Sequence, residues 1–265
     1  MPELAEVEVV RRNLEVWWKG RRADRVRIED DAVLKEGRPE ALREALEDRL
    51  KAAHRRGKHL ICEMETKGWV LFHFRMTGKI VRRERLEDGD YRRLGWRVGP
   101  SSWLVFKDQR RLGGVRWFEE DPRRTYPSLA KMGPEPEALS VEDIRQAGTG
   151  RRMMKSTLLD QEVVAGVGNI AISEVFWQWG WSPRVRIGDL DDGELSRLVE
   201  VLPDYFDGVL EASMGDEVHY QNSGGAENIF AIYGREGEPC ECCGKAVERA
   251  KVGGRSSYYC PGCQG

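Results

Sequence analysis

Two groups of residues, one at each end of the 265-residue chain, are of types that do chemistry. Pro2 follows the initiator Met, and a small residue there allows Met removal, which would leave a secondary amine at the terminus. An α-amino group titrates at about 7.7–8.0, far below a lysine. It is thus substantially neutral at working pH and can attack a sugar aldehyde carbon to form an iminium. Glu3 beside it supplies an acid or base within reach. Many chains open Met-Pro, so Pro2 has weight only in company. At the other end, Cys240 and Cys243 are two residues apart, and so are Cys260 and Cys263. Thiolates paired in this way place four sulfurs tetrahedrally around Zn²⁺, each pair on a tight knuckle and the two joined by a hairpin. Two disulfides or free thiols are the competing reading, but clustered cysteines in a chain without a secretion signal favour metal. With all four positions taken by Cys there is no open site for water, so the zinc is structural. Cys242 is a spare whose use would break the spacing. Cys62 is expected in the core as a small apolar residue.

The elements that must position these groups change character along the chain. Val7, Val10, Leu14 and Trp17 recur at spacings of three and four and predict a helix from about Glu6 to Lys19. A strand follows at Val26 to Ile28, then a helix from Pro39 to Leu50 with Leu42, Leu46 and Leu50 on one face, Pro39 suiting its first turn. From His59 to Glu119 short aromatic or branched runs are separated by turn residues: 59–65, 69–74, 103–106 and 115–118. That is the signature of an antiparallel sandwich or flattened barrel. A Pro-rich stretch at 132–136 reads as a linker. Beyond it Ser140 and Asp143 make a capping-box start. Helices follow near 151–160, 169–179 and 191–211, the last open to a kink at Pro203. Residues 215–225 read as a loop, and the cysteine-rich tail starts near Gly234.

Composition bounds the function. A hydrophobic fraction of 40% excludes disorder, and 33% charged residues give a well-solvated surface. No apolar run approaches a membrane span. Glu3, Glu6 and Glu8 do not fit a signal peptide, so the expected location is cytoplasmic. A net charge of −2 tells against a simple nucleic-acid binder. Local fields can still hold phosphate: Arg49, Lys51, His54, Arg55, Arg56 and Lys58 form one basic run, and Arg151, Arg152 and Lys155 another. Most such runs are solvated faces.

Taken together, the motifs resemble a known family. Pro2-Glu3-Leu-Ala-Glu6-Val-Glu8 resembles the PELPEVE opening of bacterial formamidopyrimidine-DNA glycosylases. Arg56-Gly57-Lys58-His59-Leu60 resembles their RGKYL turn, His73-Phe-Arg-Met76-Thr-Gly78 their HLGMSG loop, and Asp108-Gln-Arg110-Arg111-Leu112-Gly113 their DPRRFG. Residues 159–174, with Gly166-Val-Gly168-Asn169, are similar to their helix-two-turn-helix signature, and 234–240 and 254–264 to the ends of their zinc ribbon. The motifs keep the family's order over the whole chain.

The resemblance implies an α+β fold: an N-terminal antiparallel β-sandwich with flanking helices (1–133), a helical helix-two-turn-helix domain (134–234) and a four-cysteine zinc ribbon (235–265). It implies a bifunctional glycosylase/AP lyase of base excision repair. Pro2 would attack C1′ of a damaged nucleotide and displace the base, and the Schiff base would then break the strand by elimination. Glu3 would shuttle protons, Lys58 would hold a phosphate beside the lesion, and Glu6 and Glu174 would support the site. Met76, Arg110 and Leu112 would fill the space left by the flipped nucleotide. Lys155, Asn169 and Arg255 would clamp phosphate, the zinc hairpin delivering the arginine. The implied partner is double-stranded DNA carrying a damaged base or abasic site, bound by a monomer in the bacterial cytoplasm, associated with the nucleoid. Four departures stand out: Ala5 in place of the second proline, Leu112 in place of the wedge Phe, an unfamiliar loop at 214–225 containing His219 and Tyr220, and the low net charge. They keep open, beside an enzyme for oxidised purines, an endonuclease VIII-like enzyme for oxidised pyrimidines. A lesion-binding protein without catalysis is the third reading.

Overall fold

The computed structural model describes residues 2–86, 91–213 and 230–265. In chain order the elements are α1 (Leu4–Trp17), β1 (Arg25–Ile28), β2 (Leu34–Glu36), α2 (Pro39–Glu47), β3 (Leu50–Arg56), β4 (His59–Met64), β5 (Trp69–His73), β6 (Lys79–Arg83), β7 (Arg92–Arg97), β8 (Trp103–Lys107), β9 (Gly114–Phe118), α3 (Pro122–Thr125), α4 (Pro127–Ala130), α5 (Val141–Gln146), α6 (Met154–Leu159), α7 (Asn169–Gln178), α8 (Asp192–Ser213), β10 (Glu248–Val252) and β11 (Arg255–Tyr259). They fall into two compact units: of the described residues, 2–131 and 210–213 belong to the first and 132–209 and 230–265 to the second.

The first unit holds two sheets, ordered β1-β7-β8-β6 and β2-β9-β5-β4-β3. The central strands β4, β5 and β8 are buried along most of their length, and the two sheets supply one aromatic core. Phe72 of β5 lies 5.9 Å from Trp96 of β7 and 6.0 Å from Phe106 of β8, and Trp18 lies 5.3 Å from Trp96. All four rings are fully buried, each contributing roughly 1.5–3 kcal/mol of apolar burial or more. Cys62 is buried on β4, as expected. Helix α1 buries Val7, Val10, Leu14 and Trp17, the stripe its spacing predicts, but begins two residues early, at Leu4.

Four features differ from the expectations above. The helix expected to reach Leu50 stops at Glu47, because Asp48 turns its carboxylate to the Thr66 and Lys67 N–H groups (2.7 and 3.1 Å) and Leu50 opens β3. The basic run Arg49–Lys58 is therefore mostly strand rather than open field. Lys51 pairs with Glu63 (2.6 Å), Arg49 with Glu65 (3.6 Å) and Arg55 with Glu8 (3.5 Å). Strands β6 and β7 were not foreseen, since Lys-Ile-Val-Arg-Arg and Arg-Arg-Leu-Gly-Trp-Arg hide their alternation among arginines. The sandwich also contains a parallel pair, with Leu34 of β2 opposite Val115 of β9.

In the second unit the Pro-rich stretch is pinned, not loose: Gly133 donates to Gln161 O (2.9 Å), and Pro134 O accepts from Ala165 (2.8 Å). Ser140 and Asp143 form the expected capping box. Helix α8 runs through Pro203 as one element. Hairpin β10–β11 turns at Gly253-Gly254, both with positive φ (57° and 76°), as a tight two-residue hairpin loop demands. The loop expected at 214–225, with His219 and Tyr220, lies outside the described residues.

Candidate active site and zinc centre

At the start of α1, Pro2, Glu3 and Glu6 are all buried, the two glutamates only 4% and 9% exposed. The Glu3 N–H donates to Glu6 Oε2 (2.9 Å), so the third helical residue satisfies the capping position. Burial, and then the charge of Glu3, push the Glu6 carboxyl above the ordinary carboxylate range, against hydrogen bonds from the backbone. Burial favours the neutral acid, so Glu6 is the group suited to carry a proton beside Glu3. Ala5, the departure from the family's proline, is buried in the first turn without disturbing it.

Lys58 sits in the two-residue loop between β3 and β4, with Arg56 paired to His59 across it. Gly57, at φ 51°, supplies the positive first torsion of a II′ turn, which sets the direction of Lys58. Next to it His59 meets His73 edge-on, ring centroids 4.5 Å apart. Burial, and then the Arg116 charge, lower the His59 pKa to about 4, and His73 is lowered further, first by burial and then by His59. Both rings are neutral near pH 7. This histidine pair escaped the sequence reading, because strands separate its members by 14 residues.

Met76, Arg110 and Leu112 are all exposed, on two loops at one end of the sandwich. Two residues that sequence reasoning did not single out tie those loops together. The buried Asp108 carboxylate receives the Thr77 hydroxyl and the Gly113 N–H (2.6 Å to the latter), and the Arg110 N–H donates to Thr77 Oγ1 (3.1 Å). The acid of the Asp108–Gly113 motif and the hydroxyl after Met76 were the available signals.

In the second unit Gly166 (φ 83°) turns the chain into α7, with Gly168 at the N-cap and Asn169 first in the helix. Gln161 braces the turn, accepting from Gly166 N–H (3.0 Å) and donating to Val167 O (3.0 Å). Asn169 Nδ2 donates to Ser256 O (2.9 Å) on β11. Lys155, expected at a phosphate, is 1% exposed and donates to Ser256 O (3.1 Å) and Ser257 Oγ (2.5 Å). It acts as a strut under the hairpin that carries the exposed Arg255. Burial, and then Arg255, lower its pKa to about 8. Glu174 is buried and accepts three backbone N–H groups, from Ala231, Ile232 and Tyr233 (2.9, 3.1 and 2.8 Å), which fixes the chain leading into the ribbon.

The Sγ atoms of Cys240, Cys243, Cys260 and Cys263 all lie within 4.8 Å of one another. Tetrahedral zinc with Zn–S bonds of about 2.3 Å sets sulfurs about 3.8 Å apart. The separations Cys240–Cys263 (3.9 Å) and Cys243–Cys260 (3.3 Å) fit it. Trp177 Nε1 points at Cys240 Sγ (3.4 Å), a donor suited to a thiolate. The four cysteines form a structural zinc site.

Comparison with known proteins agrees with this layout. Residues 1–115 match the formamidopyrimidine-DNA glycosylase N-terminal domain, 132–216 the H2TH domain of the same glycosylase, and 237–265 a zinc finger found in FPG and IleRS. Sandwich, helix-two-turn-helix segment and zinc finger together define a DNA glycosylase of the helix-two-turn-helix class. Formamidopyrimidine-DNA glycosylase of Paracoccus denitrificans is 34% identical over 286 residues, and that of Thermosynechococcus vestitus 33% over 276, covering all of this chain and 100% and 97% of theirs. The chain belongs to the formamidopyrimidine-DNA glycosylase family. Among solved structures, the Lactococcus lactis Fpg complex with abasic-site DNA superposes with a TM-score of 0.87 at 26% identity over 99% of both chains. The MutM (FPG) protein of Thermus thermophilus gives 0.80 at 32% over 99% and 98%.

Proposed function

We propose that this chain is a bifunctional DNA glycosylase/AP lyase that excises oxidised purines, 8-oxoguanine and formamidopyrimidines, from double-stranded DNA and nicks the strand at the resulting site. The observation that carries the reading is the buried Pro2-Glu3-Glu6 cluster at the head of α1 in a chain that matches the family end to end. The freed Pro2 amine attacks C1′, Glu3 delivers a proton to the sugar oxygen as the ring opens, and the base departs. The iminium then acidifies the neighbouring C2′ hydrogen, and β- or β,δ-elimination expels the phosphate. Glu6, its carboxyl raised by burial and by the charge of Glu3, supports Glu3 in this transfer. Lys58, aimed by its turn, holds a phosphate beside the lesion.

The target nucleotide must leave the stack before Pro2 can reach it. Met76, Arg110 and Leu112 would enter the gap, offsetting an unstacking cost of a few kcal/mol. Leu112 keeps bulk but not an aromatic face. Asn169 and Arg255, with Lys155 beneath, present N–H donors and positive charge to phosphate at a helix N-terminus. The enzyme would act as a monomer, in the bacterial cytoplasm on nucleoid DNA.

Borohydride trapping tests the reading. A covalent adduct should form with abasic duplex and be lost when Met1 is retained, and 8-oxoguanine duplex should be trapped as well. The second reading, an endonuclease VIII-like activity, rests on Leu112 and on a solved L. lactis relative complexed with oxidised-pyrimidine DNA. Trapping on an oxidised pyrimidine but not on 8-oxoguanine would favour it. No adduct on any substrate would leave the non-catalytic, lesion-binding reading.

A further inference from the structure

We propose that Asp30 is a positioning residue for the wedge loop: its carboxylate clamps Arg111 and so fixes how Arg110 and Leu112 project. This deepens the DNA-engaging reading above and rests on it.

Arg111 stands between the two wedge residues with φ at 56°, in the left-handed region that a residue with a side chain avoids. Such a torsion persists only where surrounding contacts over-determine it. Two contacts hold it here: the Arg111 N–H donates to Asp108 O (3.4 Å), and Arg111 Nε and Nη2 donate to the two oxygens of Asp30, each at 2.8 Å. The two partners are unequally exposed, the Arg111 side chain 59% and the Asp30 side chain 11%. The acid is the anchor. Asp30 Oδ1 also accepts the Ala32 N–H (3.2 Å) at the start of a short helical turn, and Arg93 Nη1 stands 3.6 Å from Oδ2. Asp30 and Arg111 line a small pocket with Ala32, Val33, Arg93, Asp108 and Gly113. Asp108 thus holds the base of the loop through Gly113 and Thr77, and Asp30 holds its apex. Exposed ion pairs add little to stability, so a strained arginine held by one points to a geometric role. The torsion at Arg111 sets the angle between its two neighbours, and those neighbours must enter a gap one base wide.

Single-turnover excision from an 8-oxoguanine duplex tests this. Asp30→Ala is expected to slow excision about tenfold, the effect of releasing one strained residue, through the maximal single-turnover rate with the half-saturating enzyme concentration little changed. Trapping on a single-stranded abasic oligonucleotide should stay within about twofold, since no stack has to open. Asp30→Asn, which keeps one acceptor, should fall between. In an Arg111→Gly background the same Asp30→Ala change should cost less than about twofold, because glycine adopts positive φ unaided. Excision at the wild-type rate in Asp30→Ala would overturn the proposal. So would an equal slowing in the glycine background, or a parallel loss of excision and single-strand trapping with a lowered Tm. Absence of any trapping by the wild-type protein would overturn the functional reading itself, and this one with it.

Discussion

Lys155 makes a prediction whose size follows from its surroundings. The ammonium is buried beneath the Arg255 hairpin, and its pKa of about 8 lies below the ordinary 10.5 because burial and then Arg255 disfavour its charge. A DNA phosphate at Arg255 and Asn169 favours the charged form, so binding takes up a proton wherever Lys155 is neutral in the free protein. With a pKa near 8, about nine-tenths of molecules are charged at pH 7 and about one-tenth at pH 9. If the bound state requires the charge, affinity falls by up to about tenfold between those values. The sign is opposite for folding: a depressed lysine pKa disfavours the folded state at neutral pH, and its contribution to stability improves as pH rises through 8 toward 10.5. Fluorescence anisotropy on a duplex carrying a tetrahydrofuran abasic analogue, at constant ionic strength, reads the first effect. Lys155→Met should bind more weakly at pH 7 and lose the slope. Equal slopes for Lys155→Met and wild type would refute the argument.

Four further outcomes follow from other parts of the structure. Leu112→Phe places a ring where the side chain is nearly half exposed, so Tm should hold while excision rises several-fold, stacking on a base being worth about 1–3 kcal/mol; an unchanged single-turnover rate would show that Leu112 does not meet a base. Thr77→Val removes the hydroxyl that joins Asp108 to Arg110 and should slow duplex excision more than abasic trapping, both read by gel. Glu174→Ala strands three backbone N–H groups, that of Ile232 buried, and should cost about 1–3 kcal/mol in urea unfolding, with earlier release of zinc to a chromogenic chelator. Cys260→Ser should release the zinc and weaken DNA binding, because ribbon folding and metal are coupled; unchanged affinity would argue against a phosphate role for Arg255.

What could be read from the chain alone was what short-range patterns encode. The α1 stripe, the strands carrying Leu60, Phe72 and Phe106, the Ser140 capping box and the four zinc cysteines each follow from residues a few positions apart. Strands β6 and β7 escaped because their outward positions are arginines, whose long stems cover a sheet face as apolar residues would. The end of α2 escaped because Asp48 stops the helix by capping N–H groups 18 and 19 residues further on. The site divides the same way. Pro2, Glu3, Lys58 and the cysteines are neighbours in sequence or lie in motifs, whereas Asp30–Arg111, Thr77–Asp108 and His59–His73 meet only through the fold.

Net charge misled for a related reason. A total of −2 counts every acid equally, yet many acids here are already engaged by cations or N–H groups. Glu8 accepts from Arg11 and Arg12 with Arg55 nearby, Asp24 takes both prongs of Arg97, Asp30 those of Arg111, and Asp48 and Glu174 are filled by backbone donors. Acids so engaged contribute little field beyond their partners, because each pair is nearly neutral at a distance of one Debye length. Lys58 stands on a tight turn, Arg110 on an exposed loop and Arg255 beside the β10–β11 hairpin turn, where a cationic side chain can reach a ligand. A polyanion meets those tips, not the sum, so a chain with slight negative charge can bind DNA and its affinity should depend on salt through a few phosphate contacts.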